Sequence, residues 1–129
     1  KAERSVDFLA FAFTSEPIAQ ELAAAVRRGV IVRGVYDKSG AKGTGSRYVQ
    51  LVSSGADVRV KRGAGVMHHK VIIIDGTIVI TGSYNFTRSA SLRNDENLLI
   101  IRDPETAERY ATEFTKIFNR SRTPAPRGR

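Results

Sequence analysis

"VDFLAFAFTSEPIAQELAAAVRRGVIVRGVYD", residues 6–37, predicts a strand, a helix and a second strand in direct succession. Its first eight residues form a continuous apolar run with three phenylalanines, which is typical of a strand covered on both faces. In the next segment Ile18, Leu22 and Val26 fall on one helical face, and residues 30–37 again have the composition of a strand. A strand–helix–strand unit indicates parallel pairing in a sheet with helices packed on it.

The rest of the chain continues this alternation. It predicts a short helix over residues 46–55, a strand over 56–62, a hairpin over 65–86, a buried strand over 96–103 and a final helix that begins near 103. Together these elements predict an α/β fold with a mixed, largely parallel central sheet flanked by helices. We expect residues 1–119 to form a single domain and residues 120–129 to be a flexible basic tail or linker.

Composition limits the function classes. The chain has 129 residues, enough for one core, and no cysteine, which excludes disulfides, thiolate zinc sites and cysteine nucleophiles. Its net charge of +8 attracts polyanions, nucleic acid first and anionic lipid second, although a basic surface also serves solubility alone. No membrane-spanning run or signal peptide is visible, so we expect a soluble protein of cytoplasm or periplasm. Because the chain begins at Lys1, we expect a processed protein or part of a longer one, with further domains attached.

The hairpin segment "GVMHHKVIIIDGTIVITGSYNF", residues 65–86, combines an apolar ribbon with polar groups that resist burial. Asp75 and Gly76 predict a two-residue turn. That turn predicts four opposing pairs: Ile74 with Thr77, Ile72 with Val79, Lys70 with Thr81, and His68 with Ser83.

Strand alternation then places His68 and Lys70 on one face with Thr81 and Ser83, while His69 points to the other face. Asn85 continues the same polar row. An ammonium, a hydroxyl and a carboxamide around one imidazole suit a phosphate group, since they supply charge and directional hydrogen bonds to its oxygens.

A histidine in a strand is more often structural than catalytic, so the pattern must carry the argument. Six positions match H-x-K-x4-D-x6-G-S-x-N, namely His68, Lys70, Asp75, Gly82, Ser83 and Asn85. With this motif the chain resembles the phospholipase D superfamily, and more closely its small bacterial nucleases with one motif per chain. The segments "AFAFTSEPI", "RRGVIVRGVYD" and "NDENLLII" extend the resemblance over about residues 6–118, although the strand and helix that usually precede this region are missing.

The resemblance implies a role for each motif residue. His68 would attack phosphorus and form a phosphohistidine, while Lys70 and Asn85 hold the phosphate oxygens with help from Ser83. Glu96 would accept a hydrogen bond from the imidazole. Two further motif residues, Asp75 and Gly82, are expected to have structural or interface roles.

The leaving oxygen needs a proton, and hence a second imidazole. His69 faces away from His68 and the chain has no internal repeat, so we expect a homodimer in which two copies of His68 share one site. No cofactor is expected and no metal, because no cluster of ligands has metal-binding spacing.

Basic residues near the motif are candidates for substrate binding. The loop "GAKGTGSR" fails the P-loop pattern, so Lys42 and Arg47 are expected to meet a polyanion at the rim of the site. Arg62 and Arg88 flank the motif in loops and have the same interpretation. For Arg62 and Arg88, a merely solvated loop residue is an equal alternative.

The leading interpretation is a metal-independent endonuclease acting on DNA or RNA. A phospholipase D-type lipid phosphodiesterase is the first alternative, although no amphipathic docking helix suggests a membrane partner. A non-catalytic nucleic-acid-binding domain is the second.

Overall fold

The computed structural model describes residues 1–123. Six strands are present: β1 (Ser5–Ala10), β2 (Ile31–Tyr36), β3 (Asp57–Val60), β4 (Lys70–Ile74), β5 (Ile78–Gly82) and β6 (Leu98–Arg102). Five helices connect or follow them: α1 (Glu16–Arg27), α2 (Lys38–Lys42), α3 (Tyr48–Ser53), α4 (Arg88–Leu92) and α5 (Pro104–Arg120).

The strands form one sheet in the order β3-β2-β1-β4-β5-β6. The pairs β1–β2 and β2–β3 are parallel, because a helical connection returns the chain to the end of the sheet at which the preceding strand began. The pairs β1–β4, β4–β5 and β5–β6 are antiparallel. The predicted mixed α/β fold is confirmed, with parallel pairing confined to the first half of the chain.

Two apolar clusters hold the sheet between its helices. On one face, Phe8 and Tyr36 are fully buried in a cluster that also contains Leu22 of α1 and Leu51 of α3. On the other face, Val35 packs in the cluster to which α5 contributes its phenylalanines. The two faces of β1 and β2 are therefore both covered, as their continuous apolar sequences predict.

The prediction that residues 96–103 form a buried strand is wrong. β6 is the edge strand, and its side chains Leu98, Leu99 and Ile100 are 50%, 58% and 56% exposed. An apolar run predicts a strand but not what lies against it, and the described residues cover little of this edge.

The predicted hairpin register is wrong by one residue. Ile74 pairs with Ile78, and Val71, not Lys70, pairs with Thr81. The cause is the turn, which places three residues, 75–77, between the paired positions. As a result Thr81 lies on the face opposite Lys70.

Residues 120–123, which were predicted to belong to a flexible tail or linker, contact the domain. α5 continues to Arg120, and Arg122 forms an antiparallel bridge with Val60 through two backbone hydrogen bonds. The rest of the predicted tail, residues 124–129, lies outside the described part of the chain. No helix within residues 1–123 has the length and apolar character needed to cross a membrane.

Candidate active site

The motif residues meet at one end of the central strands, where β1 and β5 end and β4 begins. Ala10 at the end of β1 pairs with Lys70 at the start of β4, and β5 ends at Gly82. The antiparallel turn therefore brings residues 68–70 and 82–85 to the same end of the hairpin, which we call its open end.

His68 is exposed immediately before β4. The Lys70 Nζ lies 3.0 Å from its Nδ1 and 3.1 Å from its Nε2, and can donate to whichever nitrogen lacks a proton. The same Nζ donates to the His68 carbonyl oxygen at 2.9 Å. The imidazole also packs against the Phe11 ring, with centroids 4.7 Å apart. The imidazole is thus held in place while it remains open to solvent.

Lys70 is half-buried, and its ammonium also lies over the Phe11 ring, 5.4 Å from the centroid. Burial lowers the pKa of Lys70 from its usual value, while the nearby Glu96 carboxylate opposes this shift. The side chain supplies the positive charge that a phosphate needs beside the imidazole.

Glu96 is joined to the open end through Ser83. Its Oε1 accepts a hydrogen bond from the Ser83 hydroxyl at 2.5 Å, and its Oε2 accepts one from the Asn94 side chain at 3.1 Å. These bonds, Ser83 first, lower the pKa of Glu96 below its usual value. Within residues 1–123 the carboxylate has no hydrogen bond to His68, so the expected contact between them remains a prediction.

Gly82 allows the chain to pass close to the neighbouring segment. Its φ is +153°, and an added Cβ would lie 2.3 Å from the Asn97 carbonyl oxygen. The Ser83 N–H donates to that same oxygen at 3.2 Å. Glycine is therefore needed for Ser83 to reach Glu96.

Asn85 follows Ser83 in a segment that lies beside the residues just after β1. Its neighbour Phe86 bridges Phe13 and donates its N–H to the Ala12 carbonyl oxygen at 3.1 Å. The Asn85 Oδ1 is buried and has no partner among the described residues. Since buried polar atoms normally have a partner, this oxygen still needs a donor, and the Nδ2 of the same carboxamide is the group that could donate to a phosphate oxygen.

Asp75 lies at the opposite end of the hairpin, where it binds backbone. One carboxylate oxygen accepts hydrogen bonds from the N–H groups of Glu3, Arg4 and Ser5 at 3.2, 2.7 and 3.0 Å. These bonds, that from Ser5 most strongly, lower the pKa of Asp75. The residue ties the hairpin turn to the start of β1.

His69 contacts α5. Its Nε2 lies 3.6 Å from the Glu113 Oε2, and both side chains line a cleft next to His68 together with Met67 and Ile117. The structure thus separates the two histidines, because one contacts Lys70 and the other the helix.

The four basic candidates differ. Arg47 is half-buried, donates from Nε to the Thr14 carbonyl oxygen at 3.1 Å and lies 3.7 Å from the Glu16 carboxylate. These contacts favour a structural role for Arg47. The other three, Lys42, Arg62 and Arg88, are exposed, and their contact with substrate remains a prediction.

Two residues at the site are absent from the sequence-based assignment. Phe11 packs on His68 but belongs to an apolar run in which nothing distinguishes it from its neighbours. Asp37 is a buried carboxylate that accepts a hydrogen bond from the Met67 N–H, next to His68, at 2.8 Å. Its place at the end of a strand was a signal that a polar group is positioned there. Across residues 1–123 no group of three or more His, Cys, Asp or Glu residues is placed to hold a metal ion.

Comparisons with known proteins agree with the motif. Residues 1–118 match the family model described as "Cardiolipin synthase, PLD-like domain". The mitochondrial cardiolipin hydrolase of Xenopus laevis is 38% identical over 117 residues, covering 91% of this chain and 56% of that protein. A phospholipase D of Rickettsia conorii is 44% identical over 110 residues, covering 85% and 55%. The chain therefore spans about half the length of these curated relatives.

Solved structures show the same fold over almost the whole chain. The phospholipase D family member Nuc from Salmonella typhimurium superposes with a TM-score of 0.91 at 34% identity, covering 98% of this chain and 85% of that one. NucT from Helicobacter pylori gives a TM-score of 0.89 at 28% identity, with 94% and 82% covered.

Proposed function

Because the chain belongs to the family of phospholipase D-like domains, we propose that it is a metal-independent phosphodiesterase that hydrolyses nucleic acid through a phosphohistidine. The observation that carries the proposal is the open end of the hairpin. There an exposed imidazole lies within 3.1 Å of an ammonium, and the Glu96 carboxylate accepts a hydrogen bond from the Ser83 hydroxyl.

In the first step a nitrogen of the His68 imidazole attacks phosphorus, and an N–P bond forms as the bond from phosphorus to the leaving oxygen breaks. The leaving oxygen takes a proton from a second imidazole. In the second step water attacks phosphorus, the N–P bond breaks, and the second imidazole takes the water's proton. The two steps together replace one difficult displacement with two easier ones.

Charge on the phosphoryl oxygens is stabilised by donors already in place. Lys70 would turn from the imidazole to the phosphate and the Ser83 hydroxyl would turn from Glu96 to it, while the Nδ2 of the partly buried Asn85 would add a further directional bond. Glu96 would orient this set, since it already holds Ser83. The proposed hydrogen bond between Glu96 and His68 would form when a second imidazole and the substrate complete the site.

The second imidazole is proposed to be His68 of another copy of the chain. His69 lies against Glu113 on α5 and so is a poor proton donor at the His68 phosphate. His68 itself is exposed, as a group that meets its twofold mate must be. A homodimer with one shared site is therefore part of the proposed mechanism.

Nucleic acid is the proposed substrate class. The net charge of +8 and the exposed Lys42, Arg62 and Arg88 favour a long polyanion. The sequence also resembles the small single-motif nucleases of the superfamily. If the site accepts a phosphodiester within a nucleic-acid strand, the activity is that of an endonuclease.

A lipid phosphodiester is the second candidate substrate. It is favoured by the relatives named cardiolipin hydrolase and phospholipase D. The exposed apolar side chains of β6 are also compatible with contact to lipid. The same chemistry at His68 would serve either substrate.

The test is hydrolysis of a chromogenic phosphodiester in excess chelator, followed by single-stranded DNA, duplex DNA, RNA and cardiolipin vesicles. We expect chelator-resistant activity that His68→Ala abolishes, with nucleic acid preferred. Preference for the vesicles would favour the lipid candidate. A folded chain that binds nucleic acid but cleaves none of these substrates would refute the proposal in favour of a binding domain.

A further inference from the structure

Asp37 is a buried carboxylate outside the motif. It follows β2 directly, forms the N-cap of α2 and is 3% exposed. A charge in such a place is unfavourable unless donors surround it. Its hydrogen bonds therefore indicate what it does.

The two oxygens of Asp37 bind different segments. Oδ2 accepts hydrogen bonds from the N–H and the hydroxyl of Ser39 at 3.1 and 2.7 Å, which begins α2. Oδ1 accepts one from the N–H of Met67 at 2.8 Å. Burial alone would raise the pKa of Asp37, but the bonds from Ser39 and Met67 bring it below its usual value. The carboxylate thus joins the end of β2 to the residue that precedes His68.

The segment that Asp37 holds is also supported by Lys61, whose Nζ donates to the carbonyl oxygens of residues 62–65, all of which precede Met67. Residues 61–69 connect β3 to β4 outside both strands, and the side chains of residues 62–66 are exposed. Met67 differs, because its side chain is 3% exposed and packs in the core on the α5 face. The backbone at Met67 is therefore fixed twice, by its side chain in the core and by its N–H on Asp37.

The residue after Asp37 supports the same segment farther from His68. Lys38 donates from Nζ to the Gly63 carbonyl oxygen at 2.8 Å. That contact is exposed, whereas the Asp37 bond is buried and acts on the residue adjacent to His68. The Asp37 bond is therefore the better candidate for control of the imidazole.

We propose that Asp37 is a positioning residue for His68: its carboxylate holds the Met67 amide and thereby fixes the backbone from which the imidazole attacks phosphorus. This inference rests on the proposed function, because it requires His68 to be the reacting group. A shift of about 1 Å in a reacting group costs roughly 100-fold in rate. Loss of the bond should therefore lower kcat, while KM, which depends on the phosphate-binding groups of β4 and the β5 end, stays the same.

Asp37→Asn tests the proposal with little change in volume. It replaces one carboxylate oxygen with an NH2 donor, which cannot accept the hydrogen bonds that Ser39 and Met67 donate to Asp37. The matched control is Asp103→Asn. Asp103 caps α5 in the same way, accepting from the N–H and hydroxyl of Thr106 at 3.2 and 2.6 Å, at a site removed from the 61–69 segment. Both variants would be assayed on the chromogenic diester at a temperature where each is fully folded.

We expect Asp37→Asn to lower kcat by about 10- to 100-fold with KM within about twofold, and Asp103→Asn to keep the kcat of the unmodified chain. In the same samples, the Met67 amide should exchange its hydrogen faster in Asp37→Asn. If Asp37→Asn does not fold, an amide-to-ester replacement at Met67, which deletes only that N–H donor, should give the same loss of kcat.

An unchanged kcat in the folded Asp37→Asn variant, or in the ester, would overturn the positioning role. An equal loss in Asp103→Asn would also overturn it, since the effect would then come from helix capping. A different result separates the two proposals: an unmodified chain that is inactive on every phosphodiester refutes the proposed function itself.

Discussion

The two ends of the β4–β5 hairpin both carry polar groups, but these groups serve different purposes. At the turn, the Asp75 carboxylate accepts bonds from three successive backbone N–H groups and so holds the start of β1. At the open end, His68 is exposed, and the Asn85 Oδ1 has no partner among the described residues. Polar groups satisfied by backbone stabilise the fold, whereas polar groups left open are available for chemistry.

The largest predicted difference concerns the two adjacent histidines. His68→Ala should lower hydrolysis of the chromogenic diester by roughly 10^4-fold or more, because it removes the nucleophile. His69→Ala is the matched control and should change kcat by less than about threefold, since the His69 imidazole lies against Glu113 on α5 and not at the contact between His68 and Lys70. Steady-state kinetics with chelator present measures both. Equal losses in the two variants would remove the distinction between the two faces of the strand.

Lys70→Met should have the next largest effect. It keeps the length of the side chain but removes the donor that lies against the imidazole, so we expect kcat to fall about 10²- to 10³-fold. Lys116→Met is the control, because Lys116 lies on α5 in an exposed ion pair with Glu113 at 3.9 Å. A Lys70 variant as active as the Lys116 variant would show that phosphate binding does not depend on this ammonium.

Glu96→Gln should reduce kcat by about 10- to 100-fold. The new NH2 group would oppose either the Ser83 hydroxyl or the Asn94 amide, and the ordered donor set would loosen. Glu105→Gln, at an exposed pair with Arg109 on α5, is the control. Full activity of Glu96→Gln in the same assay would limit Glu96 to a structural role.

Asp75→Asn should leave kcat within about twofold but destabilise the fold by about 1–3 kcal/mol. Asparagine tolerates the positive φ of 53° at this position, so the variant tests the carboxylate and not the turn. Because the folded-state pKa of Asp75 is lowered, its contribution is full above the unfolded pKa and is lost as pH falls through the folded pKa.

Urea unfolding at pH 7 and near pH 2 measures this linkage. The difference in unfolding free energy between the unmodified chain and Asp75→Asn should be largest at neutral pH and shrink in acid. A difference that is independent of pH, or a large loss of kcat, would contradict the structural role of the turn.

The same contrast explains what could be predicted from sequence. Local patterns identified the six strands and the helices α1, α3 and α5, because each apolar run or helical face reflects one element's own burial. The short helices α2 and α4 lie in segments that were predicted to be loops. The six motif positions were found because their spacing is unusual, and alternation correctly separated His69 from His68. The parallel pairing of β1, β2 and β3 followed from the same elements, whereas the order of the six strands in the sheet did not.

What could not be predicted depends on contacts between distant segments. The register required knowledge that three residues, and not two, separate Ile74 from Ile78. The exposure of β6 depends on what packs beside it, which an apolar run does not encode. Asp37 and Phe11 act at the site only because the sheet brings the end of β2 and the end of β1 beside His68.

The central claim is that each chain supplies one half of a shared site, with His68 meeting its own copy. Equal amounts of unmodified chain and His68→Ala, unfolded and refolded together, test it most directly. Random pairing leaves about a quarter of the dimers with two intact imidazoles. We predict that the mixture has about a quarter of the activity of the same total amount of unmodified chain, whereas about a half would show that each subunit works alone.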